Sequence, residues 1–215
     1  MIPKETKGFL FDLDGVLVDT AIFHFQAWKR LANSFGFDFT EKENEQLKGV
    51  SRVQSLQRIL QWAGVEKSTT EQEQLATQKN EWYLELVGQM KNGDTLPGTE
   101  DFLKKSKALG YGIALGSASK NARLILEKTG ILPYFDAIID GNSVTQSKPH
   151  PEVFLKGAAA LGLAPQECVV FEDAQAGIDA AIAGGIPVIG IGTADHLQGA
   201  LQLVGSLAEV TFNIS

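Results

Sequence analysis

The strongest constraint on the fold is the alternation of short apolar runs with helical patterns from about residue 97 onward. Four such runs follow one another in chain order: YGIALGS (111–117), DAIIDG (136–141), ECVVFED (167–173) and PVIGIG (187–192). Runs of this length and composition are typical of parallel strands that are buried on both faces. The alternation therefore predicts βαβ crossovers and a doubly wound, Rossmann-like α/β core with a parallel sheet.

The N-terminal stretch GFLFDLDGVLVDT, residues 8–20, adds one more apolar strand to the predicted sheet. Residues 20–94 are almost entirely helical in pattern, and an insertion of this kind can open and close over a site. Apolar side chains recur at helical spacing in three segments, 20–36, 51–64 and 73–90. We predict a core domain of residues 1–17 and 97–215, and a helical cap domain of residues 18–96 inserted after the first strand.

Three polar residues are predicted starts of helices. Asp19, Ser51 and Thr99 each precede a helical pattern and have side chains that can accept a hydrogen bond from a free N–H of the first turn. Gly64 and Gly110 are the predicted ends of the helices that follow Ser51 and Thr99.

Polar side chains follow the predicted strands at the points where they end. Ligands of open parallel sheets bind beyond this edge, so residues from separate segments are expected to meet there. The residues that follow strands are Asp12, Asp14, Ser117, Glu172 and Asp173, and Lys148 lies just before a helix that Pro149 and Pro151 help to start. Grouped carboxylates form a site for a hard cation such as Mg²⁺, and a hydroxyl with a lysine suits phosphoryl oxygens. The pattern predicts metal-assisted phosphoryl transfer.

Charge and composition disfavour several other classes of partner. The formal net charge of −7 disfavours nucleic acid and anionic membrane surfaces. Cys168 is the single cysteine and lies in an apolar run, so we expect a buried thiol rather than a nucleophile. No secretion signal and no long apolar span is evident, so we expect a cytoplasmic protein. We also expect a monomer that binds a small molecule.

Four features of the sequence together resemble the four motifs of the haloacid dehalogenase superfamily. They are DLDGV at residues 12–16, Ser117 after the second core strand, Lys148 before Pro149, and Glu172 with Asp173. The helical insertion matches that superfamily as well. Within it, stretches such as NEQLKGVSR, ASKN and EDAQAGIDAA are similar to the phosphomutases that act on sugar phosphates. The resemblance extends to about residue 190.

The resemblance implies a role for each matching residue. Asp12 would be the nucleophile and Asp14 the general acid and base, while Ser117 and Lys148 would hold the transferring phosphoryl group. The implied Mg²⁺ ligands are Asp12, Asp14 through its backbone carbonyl, Glu172 and Asp173. The implied substrate contacts are Thr20, His24, Trp28, Gly49, Val50, Ser51, Arg52, Lys79, Ala118, Ser119, Lys120 and Asn121.

Several of these positions also allow a purely structural interpretation. Asp12 and Asp14 could open an ordinary turn or a calcium loop. For the calcium loop, Val16 and Val18 offer no oxygen ligands at the alternating positions that such a loop needs. Glu172 and Asp173 could be favourable acids at a helix N-terminus. The remaining structural alternatives are a core position for Trp28, a helix-surface position for His24, an exposed first turn for Arg52, and solvated side chains for Lys79 and Lys120.

Three functions are compatible with the sequence. The resemblance implies a mutase that interconverts β-D-glucose 1-phosphate and glucose 6-phosphate through a 1,6-bisphosphate and an aspartyl phosphate. A sugar-phosphate phosphatase would use the same nucleophile, acid and metal. A catalytically silent binding protein is the third, although the presence of every catalytic position argues against it.

Overall fold

The computed structural model describes residues 2–212, and its centre is a six-stranded parallel sheet with strand order β3-β2-β1-β4-β5-β6. The strands are β1 (Gly8–Phe11), β2 (Gly112–Gly116), β3 (Ala137–Ile139), β4 (Cys168–Glu172), β5 (Val188–Ile191) and β6 (Gln202–Val204). Helices cover both faces, which confirms the predicted doubly wound α/β fold.

The central strand β1 shows why these strands carry no alternation of apolar and polar residues. Phe9 and Phe11 point into one apolar cluster, which also contains Phe102 and Phe171, whereas Leu10 points into a second cluster on the other face. All four residues of β1 are buried. Because both faces are covered, apolar residues are favoured at every position of the strand.

Eight α-helices connect and cover the strands within residues 2–212. They are α1 (Ala21–Asn33), α2 (Glu41–Glu45), α3 (Arg52–Ala63), α4 (Thr69–Val87), α5 (Thr99–Ala108), α6 (Ala122–Thr129), α7 (Glu152–Ala160) and α8 (Gln175–Ala183). The first four lie between β1 and α5 in the chain. Helices α1 and α3, with partly buried residues of α4, form an apolar cluster around Trp28, Leu31 and Ile59, while Tyr83 and Val87 of α4 pack with the cluster of the sheet.

Two predicted helix starts are wrong. Thr20, rather than Asp19, is the N-cap residue of α1, and its hydroxyl donates to Asp14 instead of capping the helix. Gly98, rather than Thr99, is the N-cap residue of α5. Gly98 has a φ of 82°, and a Cβ there would lie 2.2 Å from the backbone nitrogen of Ala208, so the position requires glycine. The Ser51 cap is confirmed, since its hydroxyl accepts from the Gln54 amide.

The apolar pattern missed two short elements. Helix α2 buries no residue, so it has no apolar periodicity, and its signal is the capping box of Thr40 and Glu43. Strand β6 is a three-residue strand at the edge of the sheet. None of the helices in the described part of the chain is long and apolar enough to cross a membrane.

Candidate active site

A cavity of about 370 Å³ lies where the carboxyl ends of β1, β2 and β4 meet the helical segment. Its core side includes Asp12, Asp14, Asp173 and residues 117–120, and residues of the inserted helical segment complete it. Parallel sheets commonly bind ligands at this edge. Of the predicted site residues, those that line the cavity are Asp12, Asp14, His24, Trp28, Gly49, Val50, Ser51, Arg52, Lys79, Ser117, Ala118, Ser119, Lys120 and Asp173.

Lys148 joins two of the predicted acids beneath the cavity. Its ammonium lies 2.5 Å from Oδ1 of Asp12 and 2.6 Å from Oε1 of Glu172, and its side chain is 1% exposed. Burial opposes the charge, but the two carboxylates outweigh burial and raise the pKa of Lys148. The lysine therefore stays charged and fixes the orientation of the Asp12 carboxylate.

Asp12, Glu172 and Asp173 form a group of carboxylates whose oxygens lie within 4.8 Å of one another. Burial raises the pKa of Glu172, with Lys148 opposing and Asp12 adding to the shift. Burial, followed by the charges of Glu172 and Asp12, raises the pKa of Asp173 well above its usual value. A divalent cation among the three acids would remove this repulsion. Three close carboxylates, of which Asp12 and Asp173 line the cavity and Glu172 lies beneath it, fit Mg²⁺, which binds hard oxygen ligands.

Asp14 is held on the other side of the cavity floor by a chain of hydroxyl groups. The phenol of Tyr83 donates to Thr20 at 3.2 Å, and the Thr20 hydroxyl donates to Oδ1 of Asp14. Burial, followed by the charge of Asp12, raises the pKa of Asp14 to about 7. A carboxyl group that exchanges its proton near neutrality is suited to general acid and base catalysis. Thr20 itself lies behind the cavity and is fully buried.

His24 and Lys79 meet beside Asp14. The Lys79 ammonium lies 2.7 Å from Nδ1 of His24 and 4.4 Å from the ring centre of Trp28, while Nε2 of His24 lies 3.9 Å from Asp14. Burial and the charge of Lys79 lower the pKa of His24, so the imidazole is neutral. Lys79 is 1% exposed, which rules out the solvated-surface interpretation. Trp28 is both a core residue and part of the cavity lining.

Arg52 begins α3 and faces the same cavity from the segment Gly49–Arg52. Its side chain is partly exposed. Burial lowers the pKa of the guanidinium, but an arginine side chain stays charged in proteins. Burial, followed by the charge of Arg52, lowers the pKa of Lys79 well below its usual value. An anion bound between Arg52 and Lys79 would favour the charged form of the lysine, so this part of the cavity suits an anion.

Residues 117–121 form a turn between β2 and α6. The Ser117 hydroxyl accepts from the Ser119 amide at 3.2 Å, and the Ser119 hydroxyl accepts from the Asn121 amide at 3.2 Å. Ser117, Ala118, Ser119 and Lys120 line the cavity, and Lys120 is exposed. Asn121 is not among the described residues that line the cavity. Its side-chain Nδ2 donates to the side-chain oxygen of Asn80 in α4 at 2.8 Å.

Sequence reasoning missed several residues of this site. Lys48 lines the cavity and pairs with Asp173 at 3.5 Å, and Tyr83 stacks on His24 with ring centres 4.1 Å apart. Tyr83 lies one turn beyond Lys79 on α4, so the shared helix face was the available signal. Thr145 and Ser147 also line the cavity, from the loop that leads to Lys148 and Pro149.

The family model for haloacid dehalogenase-like hydrolases matches residues 6–185, and the chain belongs to this family. The chain is 38% identical over 210 residues to a β-phosphoglucomutase of Bacillus subtilis, with 97% of this chain and 93% of that protein covered. It is 30% identical to a phosphorylated carbohydrates phosphatase of Thermotoga maritima, over 84% of this chain and 82% of that protein.

A crystal structure of a β-phosphoglucomutase from Clostridium difficile resembles this structure with a TM-score of 0.93. The two sequences are 41% identical, and the match covers 96% of this chain and 94% of the other. The relatives thus include both phosphomutases and phosphatases of sugar phosphates. Membership of the family therefore does not by itself distinguish between these two activities.

Proposed function

We propose that this enzyme is a β-phosphoglucomutase that interconverts β-D-glucose 1-phosphate and glucose 6-phosphate. The observation that carries the proposal is a cavity with two sets of groups suited to phosphate. Ser117 lines one side above Lys148, and Arg52 with the buried Lys79 lines the side contributed by the helical segment. A 1,6-bisphosphate has two phosphates to be held, whereas a phosphatase substrate needs only one. The similarity to the two β-phosphoglucomutases supports the same conclusion.

The proposed chemistry begins at Asp12. One of its oxygens bonds to phosphorus as the bond between phosphorus and the sugar oxygen breaks, and the protonated Asp14 gives its proton to that oxygen. In the opposite direction Asp14 takes the proton of the sugar hydroxyl as the hydroxyl attacks the aspartyl phosphate. Ser117 and Lys148 stabilise the phosphoryl oxygens. Mg²⁺ held by Asp12, Glu172, Asp173 and the Asp14 carbonyl would neutralise phosphoryl charge.

Water must be kept from the aspartyl phosphate while the bisphosphate reorients. We propose that residues 18–96 form a cap domain over a core domain of residues 1–17 and 97–215, with Thr20 near the connection. Trp28 and Val50 would exclude water, and His24 and Lys79 would contact the sugar and the distal phosphate. The contact of Asn121 with Asn80 spans the same two parts of the chain and supports a closed arrangement.

A sugar-phosphate phosphatase is the second candidate, and it is favoured by the similarity to the Thermotoga maritima phosphatase. The same core residues would serve it, because hydrolysis differs from the mutase reaction only in the acceptor of the phosphoryl group. The distal anchor separates the two proposals. A mutase needs it in every cycle, whereas hydrolysis of a small phosphoester does not.

The test is to compare Arg52→Ala with Arg123→Ala, an exposed arginine of α6 that pairs with Glu127. A hydrogen bond to a charged group contributes about 1.5–3 kcal/mol. We therefore expect Arg52→Ala to lower kcat/KM for glucose 6-phosphate formation roughly 10- to 150-fold. Hydrolysis of p-nitrophenyl phosphate should change less than threefold, and Arg123→Ala should resemble the wild type. Unchanged mutase activity in Arg52→Ala would contradict the distal anchor.

A further inference from the structure

The loop of residues 140–147 forms part of the cavity wall and leads directly to Lys148. Gly141, Val144, Thr145 and Ser147 line the cavity. Three of these residues come from the four that precede Lys148, so the shape of this loop sets the wall next to the reacting groups. The residues that hold the loop in place are therefore relevant to how substrate is oriented.

Glu152, the first residue of α7, holds the second half of this loop. Its Oε2 accepts hydrogen bonds from the Thr145 amide at 3.0 Å, the Thr145 hydroxyl at 3.0 Å and the Gln146 amide at 2.8 Å. Its side chain is 15% exposed. The three donors share this one oxygen, which is possible for a carboxylate because its oxygens carry negative charge and accept only.

Lys156, one turn further along α7, completes the arrangement. Its ammonium lies 2.6 Å from Oε1 of Glu152 and donates to the Ser143 carbonyl at 2.7 Å. Hydrogen bonds from Lys156 and from the Gln146 amide lower the pKa of Glu152 to about 2. The Glu152 carboxylate is therefore charged at neutral pH, and hydrogen bonds to a charged group are the stronger ones.

The first half of the loop is fixed to the segment 118–120. The Gly141 amide donates to the Ser119 carbonyl at 3.3 Å, and the Asn142 side chain donates to the Lys120 carbonyl at 3.3 Å. A Cβ on Gly141 would lie 2.3 Å from the Ala118 carbonyl oxygen, which shows how closely the two segments approach. The loop thus links the turn after β2 to Lys148, with Glu152 and Lys156 holding its second half.

We infer that Glu152 and Lys156 are positioning residues that hold the wall formed by residues 143–147 in the shape that orients the sugar phosphate. They act through the loop rather than on the reacting atoms. Lys148 is separately fixed by Asp12 and Glu172. Loss of Glu152 should therefore weaken substrate binding far more than the phosphoryl transfer that Lys148 and Asp12 support. The inference about substrate rests on the proposed function.

The first test measures the loop itself by hydrogen–deuterium exchange of residues 143–147 in the whole protein. We expect the Thr145 and Gln146 amides to exchange at least tenfold faster in Glu152→Ala. The matched control is Glu100→Ala, because Glu100 lies in the first turn of α5 and pairs with Lys104 at the same spacing. Equal exchange in the two variants would overturn the inference, whatever the substrate proves to be.

The second test measures kinetics with β-D-glucose 1-phosphate. Glu152→Ala should raise KM at least fivefold, while the kcat for p-nitrophenyl phosphate hydrolysis stays within twofold. Glu152→Gln, whose amide oxygen can still accept from the loop, should recover part of the loss, and Lys156→Ala should raise KM as well. Faster exchange with an unchanged KM would refute the positioning role. If the wild type converted no sugar phosphate, the proposed function would fail, and exchange would still decide whether the loop is held.

Discussion

At the scale of single residues, the Glu172 carboxylate depends on a glycine in the helix beside it. A Cβ on Gly177 would lie 1.8 Å from Oε1 of Glu172, the oxygen that binds Lys148. Glu172 is fully buried, and its other oxygen accepts from the Ala174 amide, so the side chain has little freedom to move aside. The position of the Glu172 carboxylate therefore requires glycine at residue 177.

We predict that Gly177→Ala lowers turnover more than tenfold and raises the Mg²⁺ concentration needed for half-maximal rate. Replacing a helical glycine with alanine normally stabilises a helix by about 0.5–1 kcal/mol, so the loss would come from the displaced carboxylate. The control is Gly157→Ala in α7, where the nearest atom is the flexible Cδ2 of Leu10 at 3.2 Å. A Mg²⁺ titration of the rate in both variants makes the comparison. Equal curves would contradict the prediction.

Some positions of the site residues could be predicted from the sequence and others could not. Asp12 and Glu172 could be predicted to meet because they lie at the ends of strands, and Lys148 because it lies just before a helix that starts at the same edge of the sheet. The burial of Lys79 could not be predicted, since a lysine within a mostly polar helix offers no apolar signal of its own. Lys79 is buried by contacts with Trp28 and Tyr83, which come from tertiary packing. Its role in substrate binding stays a prediction.

At the scale of elements, helix α4 carries Lys79 and Tyr83 to the cavity, and its start is fixed by a capping box. The Ser68 hydroxyl accepts from the Glu71 amide, and the Glu71 carboxylate accepts from the Ser68 amide at 2.9 Å. These bonds to Ser68, with a smaller effect of Lys67, lower the pKa of Glu71 to about 2. A lowered pKa means that the charged carboxylate favours the folded state.

We predict that Glu71→Gln lowers the melting temperature at pH 7 relative to the wild type. The stabilisation by Glu71 is complete above the unfolded-state pKa of about 4.5 and is lost as the pH falls toward 2. The difference between the two proteins should therefore shrink below pH 4.5. Thermal unfolding from pH 7 to pH 3 measures it, with the exposed Glu73→Gln as the control on the same helix. A difference independent of pH would count against the capping box.

The elements most open to prediction were those with a clear apolar pattern. Helix α3 could be located because its buried residues repeat at helical spacing, and strand β4 because it is a continuous apolar run of strand length. Helix α2 could not, because it buries nothing, and β6 could not, because three residues carry too little pattern. Short elements of this kind are specified by caps and by neighbouring strands rather than by periodicity.

At the scale of the whole molecule, the three close carboxylates link metal binding to stability. Asp12, Glu172 and Asp173 repel one another, so a cation that binds only the folded state removes repulsion and stabilises the fold. At 100 times the dissociation constant this amounts to about 2.7 kcal/mol, or roughly 5–10 °C in melting temperature for a chain of this size.

We therefore predict that Mg²⁺ raises the melting temperature by that amount and that chelation reverses the change. The control is KCl at the same ionic strength, which should have little effect. Asp173→Asn should remove most of the Mg²⁺ response. A wild-type melting temperature that does not respond to Mg²⁺ would contradict the proposed metal site.

The central proposal concerns the whole cavity, which would hold two phosphates at once. The most direct measurement follows β-D-glucose 1-phosphate by ³¹P NMR with the enzyme, Mg²⁺ and a trace of the 1,6-bisphosphate. We predict that the signal of glucose 6-phosphate grows as the substrate signal falls, and that Asp12→Ala abolishes the conversion. Release of inorganic phosphate at a comparable rate without glucose 6-phosphate would contradict the mutase and identify the enzyme as a phosphatase.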